Sequence, residues 1–143
     1  MEDVGVGIVG LGNVGSGTLT ILAENAGQIT LKLGFRLCVK IVSSLDADTR
    51  TLPEALGAVE RTLDWRRVTT HPGVDIVAEL VGGTTVAREI LETAIGHGKS
   101  VVTANKELMG LHGPDLWDKA IQAGVNVAME ASVAGGIPIH AVL

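Results

Sequence analysis

Aromatic side chains are nearly missing from this 143-residue chain: Phe35, Trp65 and Trp117 are the whole set, with no tyrosine. A surface that stacks on exposed bases needs such rings. Positive charge is short as well. Eleven Lys and Arg stand against 16 Asp and Glu, a formal net charge of −5, which leaves no basic field for a phosphate backbone. The lone Cys38 excludes an internal disulfide. Set in the apolar run 35–42, it reads as a small buried hydrophobe. No apolar run reaches the length that a bilayer demands, and the first apolar strand lacks the basic flank of a secretory signal. Nucleic acid and membrane are therefore not expected as partners, and the expected setting is cytoplasmic.

Glycine is what the chain has in plenty, 19 residues of it, in a sequence that is 46% hydrophobic and 19% charged. That balance is globular, and the length suits one domain with a substantial core. A core of Val, Ile, Leu and Ala is the mixture that buried parallel strands carry beneath helices.

The organising stretch comes early. An apolar strand over 4–9 runs into Gly10-Leu11-Gly12-Asn13-Val14-Gly15, and a segment of helical spacing follows. In that context the glycines have separate tasks. Gly10 turns the chain out of the strand, Gly12 lets main chain approach a diphosphate, and Gly15 lets the helix pack closely on the strand. Anionic phosphates would sit over the unpaired N–H groups of the helix start.

Helical periodicity predicts the first helix over 14–26, with Gly27 ending it and 28–34 as a short insertion. A second strand over 35–43 leads to Ser43-Ser44-Leu45-Asp46. An acid at that place favours NAD and an arginine favours NADP. Neither stands there: Asp46 comes late and Arg50 later still, so coenzyme preference stays open. Pro53 opens a short helix through Ala58, and 64–67 reads as one helical turn whose Arg66 and Arg67 form a solvated face. His71-Pro72-Gly73 is a turn, with His71 exposed.

A third strand over 74–81 ends in Gly82-Gly83-Thr84-Thr85, where Thr84 or Thr85 caps a helix running to His97 with Val86, Ile90, Leu91 and Ala94 inward. Asp75 and Glu79 lie within that strand and require partners that cannot be named from spacing. A strand over 99–103 reaches Thr103-Ala104-Asn105-Lys106. Next comes a helix to Ala123, interrupted near 110–114, and a strand over 125–129 that leads into Glu130-Ala131-Ser132-Val133-Ala134-Gly135-Gly136-Ile137-Pro138. The apolar end, 139–143, reads as a helix cut short. Such alternation with short connections makes an α/β fold, a Rossmann-type doubly wound, mainly parallel sheet with helices on both faces.

Gly10–Gly15, Gly82–Thr84 and Thr103–Lys106 all end at the carboxyl edge of strands, where such a sheet binds its ligand. Lys106 is the strongly basic group among them. It can orient a substrate oxygen beside a nicotinamide, or it is a surface lysine in a helix's first turn. The glycine-rich Glu130–Ile137 stretch can aim oxygen ligands at a hard cation, or it is a structural turn.

Four stretches together resemble homoserine dehydrogenase: Val6 to Gly15, Asp75-Ile76-Val77 with Glu79 to Gly83, Val101 to Lys106, and Glu130 to Pro138. The likeness covers essentially the whole chain in order. It implies NAD(P)-dependent interconversion of L-homoserine and L-aspartate 4-semialdehyde in the branch that makes threonine, methionine and isoleucine. Carried over position by position, Gly10, Leu11, Gly12, Asn13, Val14, Gly15, Val81, Gly82, Thr103 and Lys106 contact the cofactor, with Lys106 also catalytic. Glu130, Val133, Gly135 and Ile137 match the family's monovalent-cation site, read as sodium. Members of the family continue into a substrate and dimerisation domain and act as a homodimer or higher oligomer. The 143 residues are accordingly expected to be the nucleotide-binding portion, truncated before or at the start of that domain and inactive alone. A dinucleotide-sensing module, or a related dehydrogenase acting on another small aldehyde or alcohol, is the alternative.

Overall fold

The computed structural model describes residues 1–132. The expected cation ligands Val133, Gly135 and Ile137, and the expected helix over 139–143, lie outside the described residues. Six strands form one sheet: β1 Asp3–Val9, β2 Arg36–Ser43, β3 Glu60–Thr62, β4 Ile76–Glu79, β5 Ser100–Thr103 and β6 Val127–Ala128. Their order is β3-β2-β1-β4-β5-β6, and every pairing is parallel. The chain thus starts mid-sheet, winds to one edge, and returns to build the other half beside β1. Between β1 and β4 the winding reverses, which opens a crevice at the carboxyl ends of both strands.

Strand alternation divides the core in two. Val6 and Ile8 of β1 join Leu19 of helix α1 (Asn13–Glu24) on one face, with Val39, Val42 and Ala78. On the other face Val9, Ile41, Val77 and Val101 meet helices α3 (Trp65–Thr69), α4 (Thr85–Gly96) and α5 (Lys106–Ala123). Val39 and Val42 share a face despite their odd spacing because the register slips from Val6 opposite Val39 to Gly7 opposite Ile41. The slip leaves Lys40 as an extra residue, a bulge that reverses the alternation. Gly7 lets α3 come close, since a Cβ there would lie 2.5 Å from Val68 Cγ1.

Several elements depart from their predicted form. Residues 28–34 are not a loose insertion: helix α2 (Ala26–Leu33) follows α1 directly, and Gly34, at φ 81°, ends it. Gly27 sits in α2's first turn, while Asn25 closes α1 by donating both its N–H and its side-chain amide to the Ile21 carbonyl. Pro114 does not interrupt α5. A proline inside a helix costs roughly 3 kcal/mol, and burial of Leu108, Met109, Leu116 and Ala120 outweighs it. On α4 the inward stripe is Ala87, Ile90, Leu91, Ala94 and Ile95, with Val86 exposed instead. Strand β3 is short, and its Glu60 and Arg61 are exposed, so alternation gave it no signal. Residues 54–56 form a 3₁₀ turn after Pro53, and Cys38 is only half-buried.

The amino edge of the sheet carries a structural polar cluster. Asp75 accepts the Gly5 N–H at 2.7 Å. The buried Lys99 donates to the carbonyls of His71 (2.8 Å) and Val74 (2.6 Å), and its burial pushes the ammonium's pKa down. His71 is not the bare surface residue expected. Its Nδ1 accepts the Gly73 N–H at 3.0 Å, and its Nε2 lies 3.3 Å from Glu60.

Outside, α4 and α5 are tied by a four-charge network. Arg88 reaches Glu92 and Asp115 at 2.8 Å each, while Lys119 reaches Glu92 at 2.6 Å and Asp115 at 3.1 Å. Burial alone would raise Glu92, but Lys119 and Arg88 hold it below its usual range. Lys119 does the same for Asp115. A carboxylate whose folded pKa is depressed contributes stability above its unfolded pKa and loses it as pH falls through the folded one. Urea unfolding followed from pH 7 downward is therefore expected to weaken below about pH 4. Asp115→Asn should flatten that acid limb by lowering stability at neutral pH, while at low pH the variant and the wild type converge.

Candidate functional site

Main chain lies directly on main chain where β1 ends. Gly10 takes φ 102°, its N–H donates to the Ser43 carbonyl at 2.8 Å, and a Cβ there would fall 2.6 Å from the Leu80 carbonyl. A Cβ on Gly15 would fall 1.9 Å from the Gly10 carbonyl oxygen, so the first turn of α1 rests on the loop it leaves. Leu11 is buried in the core, and its carbonyl accepts the Ser16 hydroxyl at 3.0 Å. Gly12 is different. It is the N-cap of α1, no side chain caps that end, and a Cβ on it would meet nothing within 4 Å. The first-turn N–H groups of Asn13, Val14 and Gly15 thus have no intrahelical acceptor, beside an open space. An anion with a diphosphate's reach fits that arrangement.

Beside it opens a cleft of about 650 Å³, lined by Val14 of α1, by Leu80, Val81 and Gly82 after β4, by Asn105, Lys106 and Glu107 at the start of α5, and by Ala131 and Ser132. Of the residues singled out in sequence, Val14, Val81, Gly82 and Lys106 line this space together. Gly12 and Asn13 are exposed at the helix start, while Gly10, Leu11, Gly15 and Thr103 are buried. Lys106 is exposed, the first residue of α5, and has no ion-pair partner among the described residues. Glu130 is exposed in the 3₁₀ turn Glu130–Ser132, whose other two residues border the cleft.

Glu79, left without a partner by spacing, lies under this site and is completely buried. Its Oε1 accepts the Val81 N–H at 2.8 Å and the Gly82 N–H at 3.3 Å, and its Oε2 accepts the Thr103 hydroxyl at 2.7 Å. Thr103 Oγ1 in turn accepts the Asn105 N–H at 3.0 Å. Asn105 caps α5 through Oδ1, 3.1 Å from the Leu108 nitrogen, and donates its side-chain amide to the Gly83 carbonyl. The only sequence signal was a charge inside an apolar strand, at the end that faces the crevice.

At the carboxyl end of β2, Asp46 is held below the usual carboxylate range by the Ser44 hydroxyl and by Arg50, whose Nε lies 2.8 Å away. Arg50 folds back to border a second cavity of about 290 Å³, against Leu11, Ser16 and Thr20. An acid and a base thus stand paired just beyond the carboxyl end of β2. Arg66 lies over the Trp65 ring at 4.4 Å and Arg67 pairs with Glu60 at 3.0 Å, as a solvated face does.

Comparison with known proteins gives a consistent result. The family model described as homoserine dehydrogenase, NAD binding domain, matches residues 10–130. Homoserine dehydrogenase of Pseudomonas aeruginosa is 44% identical over 140 residues, covering 97% of this chain and 31% of that protein. The Synechocystis enzyme is 41% identical, covering 95% of this chain and 31% of that protein. Among solved structures, a homoserine dehydrogenase from Thiobacillus denitrificans superposes with a TM-score of 0.87 at 44% identity, over 96% of this chain and 32% of that one. The chain thus spans about a third of the length of these relatives.

The two inner glycines should behave oppositely. Gly15→Ala, facing the Gly10 carbonyl, is expected to lower stability by about 1–3 kcal/mol, whereas Gly12→Ala, at φ −69° with open space around it, should leave the melting temperature nearly unchanged. Thermal melts of both variants check this.

Proposed function

Because this chain belongs to the homoserine dehydrogenase NAD-binding domain family, we propose that its cleft seats NAD or NADP in an enzyme that interconverts L-homoserine and L-aspartate 4-semialdehyde. One observation carries the reading: a single cleft is lined both by Val14, in the uncapped first turn of α1, and by Lys106. The dinucleotide, when bound, supplies the hydride chemistry.

The protein's share is binding and electrostatics. Main-chain N–H groups at Asn13, Val14 and Gly15 hold the diphosphate, with Gly10, Leu11 and Gly12 shaping the loop that admits it. Val81 and Gly82 border the half of the dinucleotide nearer Lys106, and Thr103 supports that end from beneath. Lys106 is the catalytic residue of this part of the enzyme. Its ammonium orients the substrate oxygen and favours the negative charge that oxygen gains. Glu130, with main-chain oxygens of Val133, Gly135 and Ile137, would hold a monovalent cation such as sodium; the resemblance to the family supports that assignment. Homoserine and its semialdehyde contact a further part of a longer, homodimeric or larger protein. The 143 residues by themselves are expected to bind dinucleotide weakly and to turn over little or no homoserine.

Calorimetric titration of this chain with NAD and with NADP should show binding of at least one, and Gly12→Ala should weaken it about tenfold, roughly 1.4 kcal/mol, without loss of fold. No heat from either coenzyme would overturn the reading. In the longer enzyme that carries this domain, Lys106→Ala should abolish turnover while leaving coenzyme affinity within a few-fold.

A further inference from the structure

A carboxylate buried in a strand end costs stability unless hydrogen bonds replace its hydration, and an apolar side chain of similar size would commonly serve the fold better. Among the described residues no cation pairs with Glu79. Three donors compensate it instead: two main-chain N–H groups and one hydroxyl. The direction of the hydroxyl follows from the main chain. Thr103 Oγ1 accepts the Asn105 N–H, whose hydrogen is fixed, so its own proton points to Glu79.

We propose that Glu79 is a positioning residue that turns the loop after β4 into a hydrogen-bond-acceptor face of the cleft and couples that face to the start of α5. This rests on the dinucleotide reading above and deepens it. In a trans peptide the C=O opposes the N–H, and among the described residues no peptide is cis. With the Gly82 N–H donating to Glu79, the Val81 carbonyl points away from that carboxylate, and Val81 and Gly82 both line the cleft. The next two residues, Gly82 and Gly83, sit at φ 77° and 71°, backbone that few other residues would adopt. The loop therefore has its N–H groups of residues 81 and 82 occupied and cannot bind an anion through them. It suits hydrogen-bond donors, such as ribose hydroxyls or a carboxamide NH₂. The two crevice loops divide the work: N–H donors at α1 for phosphate, carbonyl acceptors after β4 for ribose hydroxyls and carboxamide. Through Thr103 and Asn105 the same carboxylate also sets the residue that precedes Lys106.

The test titrates the 143-residue chain with its coenzyme and with ADP, which carries the adenosine diphosphate but no second ribose or nicotinamide. In Glu79→Gln the new amide must donate to Thr103 Oγ1, which leaves the hydroxyl proton without its acceptor. That variant and Thr103→Val should each weaken coenzyme binding at least fivefold while ADP affinity changes less than twofold. Thr103→Ser, which keeps the hydroxyl, should restore coenzyme affinity to within twofold. Amide exchange at Val81, Gly82 and Asn105 should quicken in the first two variants and not in the third. If Glu79→Gln does not fold, the Thr103→Val and Thr103→Ser pair decides alone. Parallel loss of ADP and coenzyme binding, or unchanged coenzyme affinity in a folded Thr103→Val, overturns the proposal. A wild-type chain that binds neither ligand sinks the dinucleotide reading and this inference with it, whereas a wild type that binds both isolates the fate of Glu79.

Discussion

Two loops meet backbone to backbone at Gly10, and little else in the crevice could keep its place without that contact. The Leu80 carbonyl lies where a side chain on residue 10 would have to go, and the Gly10 carbonyl lies where one on residue 15 would have to go. Hydrogen bonds close the arrangement from both flanks: Gly10 donates to Ser43 of β2, and Leu80 donates to Val9 of β1. Parallel pairing of β1 with both β2 and β4 places all three strand ends at one level. The start of α1 is held there by packing and by the Ser16 hydroxyl on the Leu11 carbonyl, with no side chain capping its N–H groups. Its N–H groups are left for a ligand.

The two sides of the crevice then differ in polarity for a physical reason. At α1 the helix supplies donors that none of the described residues takes up. After β4 the donors are consumed inside, by a carboxylate that would be intolerable there without them. The same carboxylate reaches β5 through Thr103, so the loop after β4 and the start of α5 are held by one hydrogen-bonded chain. Lys106 follows directly on Asn105 and lines the cleft together with Val14 of α1. The polar cluster at the amino edge, with Asp75 and Lys99, is its structural counterpart. It secures the turns that lead into β4 and β5.

Much of this was legible in the residues. The strand over 4–9, the glycine loop, the loops after β4 and β5 and the helix end at Ala123 were read in their places, because each depends on near neighbours in sequence. Local rules failed where distant packing competed with them. Gly27 carries a stop signal, yet the chain re-enters a helix because Asn25 closes the turn first. Pro114 carries a break signal, yet four buried side chains hold α5 together across it. Glu60 and Arg61 hide β3, since an edge strand exposes what alternation would bury. Arg50 stands well past the end of β2 in sequence, and a turn through 47–49 brings it back onto Asp46.

By itself the sequence determined the strand and helix alternation, the place of the glycine loop and the identity of the family, because periodicity, glycine spacing and four ordered motifs are properties of neighbouring residues. Tertiary structure alone decided what Glu79 does and which residues share the cleft. Its partners come from β5 and from the loop beyond its own strand, and parallel strands meet only through crossovers that bring residues some two dozen positions apart into hydrogen-bond range.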